Sequence, residues 1–331
     1  MDLTTAYLGL ELRNPIVASA GPFGRTAEGV ARLAGAGVGA VVLSSLFEEQ
    51  VEYEAAAREA EPEAPRVPGA GHRGPSGYLE LVAESAAAVN VPVIASLNGC
   101  TTGGWTSYAA AIEQAGAAAI ELNLYFPQAD PLTPGGEVEH RHVEILTTVK
   151  AAVTIPVAVK ISPYLSSPGD VALRLDRVGA DGLVLFNRFM QMGIDPETLR
   201  VDAAFELSRS ADAAFARTWI ARLRGRVAAS LAASTGVEEA SDVAAYLLAG
   251  ADVVMTTSAL LRHGPEHAQT LVSGLTDWMR RKGFGDLGQL RGLLAERVVH
   301  HGIGEAAEMS DRGGYLAALH KATAEYTPGG G

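Results

Sequence analysis

The chain has 331 residues, 48% of them hydrophobic and 19% charged, which supplies a buried core and excludes wholesale disorder. Its net charge of −12 argues against nucleic acid or an anionic membrane surface as partner, because neither attracts an acidic protein. One cysteine, Cys100, excludes an internal disulfide and a cysteine-ligated iron–sulfur or zinc site, and no run reaches the ~18–20 apolar residues of a membrane span. The opening Met1–Thr5 carries neither a basic nor an apolar leader, so a cytoplasmic location is expected.

Eight short apolar runs follow one another: Ile16–Ala20, Ala40–Leu43, Val93–Leu97, Ala118–Leu124, Val157–Ile161, Gly182–Phe186, Val227–Ala233 and Asp252–Thr256. Most lack alternation, as strands covered on both faces do. Several are preceded by helix-ending glycine phrases around Gly37, Gly116, Gly179 and Gly250. Between them, stretches such as Thr26–Ala34 carry apolar residues at helical spacing. Eight such units predict an α/β fold, the (β/α)8 TIM barrel, although an open doubly wound sheet shows similar periodicity. A single barrel domain is expected over 1–326, with a loop insertion at about 47–77, an excursion at about 192–225 and a flexible tail at 327–331. Within these, Glu48, Glu49, Glu52 and Glu54 read as a solvated face, and Ala203–Ala214 reads as helix. His140 and His142 read as surface residues, His72 has no metal spacing, and no metal is expected.

Polar residues gather where these runs end, which in a barrel is the side that carries the active site. Ser19, Ala20 and Gly21 follow the first run, Ser44 and Ser45 the second, and Asn98 with Cys100 the third. Asn123 closes the fourth, Lys160 sits in the fifth, Asn187 and Arg188 end the sixth, and Ser234–Gly236 and Thr257–Ser258 follow the last two. Lys160, flanked by apolar residues, is placed to neutralise a phosphate or an electron-rich ring; a Schiff base and plain snorkelling are its other uses. Thr235, Gly236, Thr257 and Ser258 occupy the two loops that barrels use for phosphate, and helix capping is the bland alternative. Asn98, Asn123 and Asn187 together offer paired donors and acceptors to an amide-like ring.

The ordered set resembles the dihydroorotate dehydrogenases and their FMN-dependent barrel relatives along most of the chain. The resemblance rests on Tyr7–Leu10, Leu12–Pro15, Ala18–Gly21, Glu121–Leu124, Val159–Tyr164, Phe186–Asn187, Thr235–Val237 and Thr257–Leu260. It implies FMN, with Ala20 and Gly21 beside the ring and Ser45, Asn98 and Asn123 as polar contacts. It further implies Lys160 at the flavin's N1/O2 edge, and Gly236, Thr257 and Ser258 at the phosphate. Asn123, Asn187 and Arg188 would meet the substrate.

The chain also departs from that family. Phe126 stands where the family's Cys or Ser base precedes Pro127, and a phenyl ring cannot accept a proton. Gly24 and Ser44 occupy the places of the substrate-binding lysine, Gln128 replaces the usual asparagine after the proline, the loop near Ser76 lacks its asparagine, and the glycine cluster before the seventh run is missing. The expectation is an FMN-dependent oxidoreductase moving a hydride between flavin and a small organic substrate other than dihydroorotate. A non-redox lyase or aldolase using Lys160 on a phosphorylated substrate is one alternative. A catalytically retired flavin-binding partner protein is another. The catalytic base is unknown, and a homo-oligomer or a redox partner protein is compatible with the sequence.

Overall fold

The computed structural model describes residues 1–59, 74–103, 106, 108–124, 126, 132–188, 191–204 and 206–296. The Pro/Gly-rich stretch with His72 and Arg73, the residues Tyr125, Pro127 and Gln128, and the tail at 327–331 lie outside them.

The chain opens with an antiparallel hairpin, β1 (Thr5–Tyr7) and β2 (Leu10–Leu12). There follow β3 (Ile16–Ala18), α1 (Ala27–Gly35), β4 (Ala40–Val42), a short β5 (Leu46–Phe47), α2 (Glu48–Glu59), α3 (Gly74–Ala88), β6 (Val93–Gly99) and α4 (Tyr108–Gln114). Next come β7 (Ala119–Leu124), α5 (Gly135–Ala152), β8 (Val157–Ile161), α6 (Pro168–Arg177) and β9 (Gly182–Leu185). A second hairpin, β10 (Gln191–Asp195) and β11 (Arg200–Ala204), precedes α7 (Ala213–Leu223). The last elements are β12 (Ser230–Ala233), α8 (Ala240–Ala249), β13 (Val253–Thr256), α9 (Ser258–His263) and α10 (His267–Lys282). No described helix is long and apolar enough to cross a membrane.

Strands β3, β4, β6, β7, β8, β9, β12 and β13 are parallel, and β13 pairs back onto β3, so the sheet closes into a (β/α)8 barrel. All eight runs read from the sequence are strands, the seventh starting at Ser230 rather than Val227. Their unbroken apolarity has a direct cause. On β8, Val157, Val159 and Ile161 pack outward with the helices, while Ala158 belongs to the inner cluster. That interior mixes small residues (Ala40, Ala119, Ala158, Ala232) with larger ones such as Val17, Ile94 and Met255, and Tyr7, Leu8 and Leu12 of the first hairpin plug its lower end. The plug is pinned to the N-terminal side by Leu8 N–H donating to Ser230 Oγ at 3.1 Å and by Thr5 Oγ1 donating to the Asp252 carbonyl at 2.9 Å. The opposite end stays open to function.

Three expectations fail. Residues 206–209 are irregular, not helical, and only a single 3-10 turn at Ser210–Asp212 precedes α7. Ala-rich composition favours helix, but tertiary bonds capture this segment: Arg188 Nε donates to the Glu206 carbonyl at 3.0 Å, and Ser208 N–H donates to Ser258 Oγ at 3.0 Å. Glu48 is not on a solvated face. It is 4% exposed, and its carboxylate accepts from the backbone N–H of Cys100 and Thr101 and from the Thr101 hydroxyl. His142 is fully buried, although His140 is exposed as expected. Position 142 shares the inner face of α5 with Ile145, Leu146 and Val149, at the spacing a buried helix stripe requires.

Candidate active site

Inward-facing positions alternate along each strand, and near the mouth the apolar filling gives way to a polar layer. Above Val17, Ile94, Ala119 and Ala158 of the inner cluster stand Ser19, Ser96, Glu121 and Lys160. Lys160, 6% exposed, donates from Nζ to Ser19 Oγ at 3.0 Å and lies 3.5 Å from Glu121 Oε1. Glu121 is fully buried, and its Oε2 has no hydrogen-bond partner among the described residues. The buried Tyr7 hydroxyl, also without a partner, lies near enough for Glu121 to add to the upward push that burial gives its phenol. A buried cation and a buried carboxylate therefore occupy the barrel centre under the mouth.

Two residues beyond Ser96 and Glu121 on their strands are the asparagines. Asn98 and Asn123 face each other in register on β6 and β7, and Asn123 is level with Lys160 on β8. Asn187 Nδ2 donates to Asn123 Oδ1, joining the ends of β7 and β9. Ser45 Oγ sits 2.8 Å from Ser96 Oγ, and the Tyr78 hydroxyl bonds both the N–H and the carbonyl of Ser96, filling the break between β4 and β5. Ala20 and Gly21 close the first strand; a Cβ at Gly21 would stand 2.5 Å from Thr257 Cγ2, so the β3 and β13 ends touch through that glycine. Thr257 Oγ1 also donates to the Ser19 carbonyl at 2.9 Å.

The segment before β12 and the ends of β12 and β13 meet at a second corner. Ser258 Oγ accepts from the N–H and the hydroxyl of Ser208, both at 3.0 Å, which leaves its own O–H available to donate. Gly236 has φ +70°, and a Cβ there would lie 2.6 Å from Ala213 N and 2.9 Å from the Arg209 carbonyl oxygen. Tyr246, fully buried, donates its hydroxyl to the Thr235 carbonyl at 2.6 Å and so fixes the preceding turn. Gly236 and Ser258 thus both meet the 208–209 segment, at Arg209 and Ser208 respectively, while the neighbouring Thr257 faces Ser19 and Gly21.

Phe126, Gly24 and Ser44, expected at the places of the family's base and lysine, also have defined surroundings. The Phe126 ring packs outward on the His142 imidazole, with centroids 4.6 Å apart. His142 Nδ1 lies 2.8 Å from the Val138 carbonyl oxygen, Nε2 has no partner among the described residues, and burial holds its pKa below the ordinary 6.5. Gly24 and Ser44 touch each other: Ser44 N–H donates to the Gly24 carbonyl at 3.2 Å, and a Cβ at Gly24 would stand 2.9 Å from Ser44 N. Arg188 is engaged by Asp212 at 2.8 Å and by the Glu206 carbonyl. Cys100 is no ready base, because burial, with Glu48 adding to it, pushes its thiol up to about 11. A cavity of about 380 Å³ opens beside the mouth between Tyr164, Phe186, Arg188, Phe215 and Thr235 and shares Asn187 with it. No metal-binding group of three His, Cys, Asp or Glu exists among the described residues.

Sequence reasoning missed Glu121 as the partner of Lys160, Ser208 at the second corner and Glu48 beneath Cys100. Glu121 stood within a recognised motif, and its period-two relation to Asn123 on an inward face was a usable signal.

A closed parallel barrel with a lysine, carboxamides and hydroxyls at its C-terminal mouth defines a protein of the TIM-barrel class, its polar residues on the side where such barrels carry their sites. The family model for dihydroorotate dehydrogenase matches residues 2–279, and the chain belongs to the dihydroorotate dehydrogenase family. The catalytic subunit of dihydroorotate dehydrogenase B (NAD(+)) from Methanocella arvoryzae is 30% identical over 322 residues, covering 90% of this chain and 99% of that protein. The corresponding subunit from Shouchella clausii is 28% identical, over 82% of this chain and 92% of its own. Subunit PreA of the NAD-dependent dihydropyrimidine dehydrogenase of Escherichia coli is 25% identical, over 90% of this chain and 78% of its own. Among solved structures, dihydroorotate dehydrogenase from Eimeria tenella superposes with a TM-score of 0.64 at 16% identity, covering 88% of each chain, which supports the fold. These relatives are dehydrogenases by name, so the family is one of oxidoreductases, and several of the names designate subunits of larger enzymes.

Proposed function

We propose that the protein is an FMN-dependent oxidoreductase acting on a small, neutral, amide-bearing ring rather than on dihydroorotate. The observation that carries the reading is the polar layer at the mouth: Lys160 held between Ser19 and Glu121 under the carboxamides of Asn98, Asn123 and Asn187. This donor set fits FMN. Lys160, Ser45, Asn98 and Asn123, with Ala20 and Gly21, would hold the ring, and Gly236, Thr257, Ser258 and Ser208 would hold the phosphate. When bound, FMN supplies a two-electron acceptor at that place.

The residues themselves divide the work. Lys160 keeps a fixed positive charge inside a layer shielded from water, where it stabilises negative charge developing above it without reorganisation. Asn123 and Asn187, tied to each other, present a donor and an acceptor in a fixed orientation to an amide edge. The Phe186 and Phe215 rings, 5.3 Å apart, make one wall of the adjoining cavity apolar. A carboxylate on the substrate finds little support: the Gly24–Ser44 contact leaves no room for a cation there, and Arg188 is already paired with Asp212. The lyase or aldolase alternative is less well supported. A nucleophilic amine must offer its lone pair, whereas Lys160 is buried as the ion-pair partner of Glu121.

The test is purification of the full chain, identification of any co-purifying group by absorbance and mass, and titration of the stripped chain with FMN. Stoichiometric FMN, reducible by a neutral cyclic amide, is expected. Binding of FMN that no small donor reduces would favour the retired partner protein. Failure to bind FMN, with a borohydride-trapped adduct on Lys160, would overturn the proposal.

A further inference from the structure

We infer that Glu121 is a positioning residue that sets the charge of the cofactor seat: it holds the Lys160 ammonium against Ser19 and reduces the net charge of the buried layer from one positive charge to zero. The inference rests on the reading of the mouth as a flavin site. Three observations carry it. Glu121 lies on β7 with no exposure to solvent, and Lys160 on the neighbouring β8 is 6% exposed, so water screens neither charge. Glu121 Oε1 is 3.5 Å from Lys160 Nζ, and the same ammonium donates to Ser19 Oγ at 3.0 Å, so one contact from the neighbouring strand and one from across the barrel fix its position. Glu121 Oε2 and the Tyr7 hydroxyl below it are both buried without partners among the described residues, so Glu121 is not retained as a satisfied structural bridge to the plug.

A buried carboxylate with one unpartnered oxygen costs folding free energy. What it does in return is electrostatic. Lys160 alone would favour any group above it that gains electrons; with Glu121 beneath, that preference is moderated and the ammonium is aimed. Converting Glu121 to a neutral isostere should therefore make a bound flavin easier to reduce, whereas converting Lys160 to Met should make it harder. A purely structural role for Glu121 predicts lost stability and no directed change in potential.

The experiment measures the midpoint potential of the FMN-loaded chain by dye equilibration for wild type, Glu121→Gln and Glu121→Asp. Glu121→Gln should shift the potential positive by at least a tenfold change in the reduced-to-oxidised ratio, about 30 mV for a two-electron couple. Glu121→Asp keeps the charge and should stay near wild type. An unchanged or more negative potential in Glu121→Gln overturns the inference. Urea unfolding of the full chain without FMN, as a cycle over Glu121→Gln, Lys160→Met and the double variant, keeps the claim testable if a variant loses flavin. The double variant should lose less than the sum of the singles by at least tenfold in the unfolding constant, and additive losses would refute the pair. If wild type binds no FMN, the proposed function fails, and the unfolding cycle alone decides whether the pair exists.

Discussion

Gly236 separates two reasons for a glycine at a candidate phosphate corner: approach of a ligand, or approach of the chain to itself. Its φ of +70° costs an L-residue ~1–2 kcal/mol. The added Cβ of Gly236→Ala would also stand 2.6 Å from Ala213 N and 2.9 Å from the Arg209 carbonyl oxygen. Both are backbone atoms, one at the start of α7 and one just before the 3-10 turn that leads into it, so relief requires moving that helix entry, and overpacking of this kind costs ~1–3 kcal/mol. The sum is about 3 kcal/mol, which at ~2–4 °C per kcal/mol lowers Tm by roughly 6–12 °C. Thermal scans of the full chain without FMN read this directly, and FMN titration of the same variant reads the site. The expected result is a loss of stability that precedes and accompanies weakened FMN binding. An unchanged Tm with abolished FMN binding would refute the reasoning, because the glycine would then serve the ligand alone.

Other predictions follow from the same geometry. Cys100, pushed up to about 11 chiefly by burial with Glu48 adding, should react with a thiol reagent at pH 8 roughly a hundredfold more slowly than a free thiol, and Glu48→Gln should speed it; fast wild-type reaction would contradict this. His142 is held below its ordinary 6.5 by burial, so the unfolded chain binds the extra proton first and stability falls as pH drops below about 6.5. His142→Phe should flatten that dependence in urea titrations between pH 7 and 5, and an unaltered slope would count against it. Lys160→Met should lower FMN affinity or shift the flavin potential negative; unchanged content and potential would remove Lys160 from the site.

The barrel was legible because its strands are covered on both faces and several helices, among them α1, α4, α6 and α8, are closed by a positive-φ glycine, two signals that survive in a linear sequence. Lys160 and the three asparagines were legible because a polar residue at the end of an apolar run has few places to go. The Ala203–Ala214 stretch was not, since its alanines favour helix while Arg188, Ser258 and Arg262 hold residues 206–208 in an irregular path. Glu48 and Cys100 are 52 positions apart, and nothing local joins them. The pairing of Glu121 with Lys160 depends on the stagger of β7 against β8, where Glu121 is in register with Ala158 and not with the lysine. His142 was readable from helical period but was taken with its exposed neighbour His140.

Under the proposed function the cofactor half of the family's site is kept while the substrate half is rebuilt. The most direct test of this is the anaerobic rate at which dihydroorotate bleaches the FMN-loaded wild-type chain. With Phe126 packed on His142 instead of a base, and no cation at the Gly24–Ser44 contact, the reaction lacks a proton acceptor worth ~10²–10⁴-fold and a charge-assisted anchor for the carboxylate. No bleaching is expected within seconds at saturating dihydroorotate, with a measurable gain in Phe126→Cys. Rapid bleaching of the wild type would contradict it.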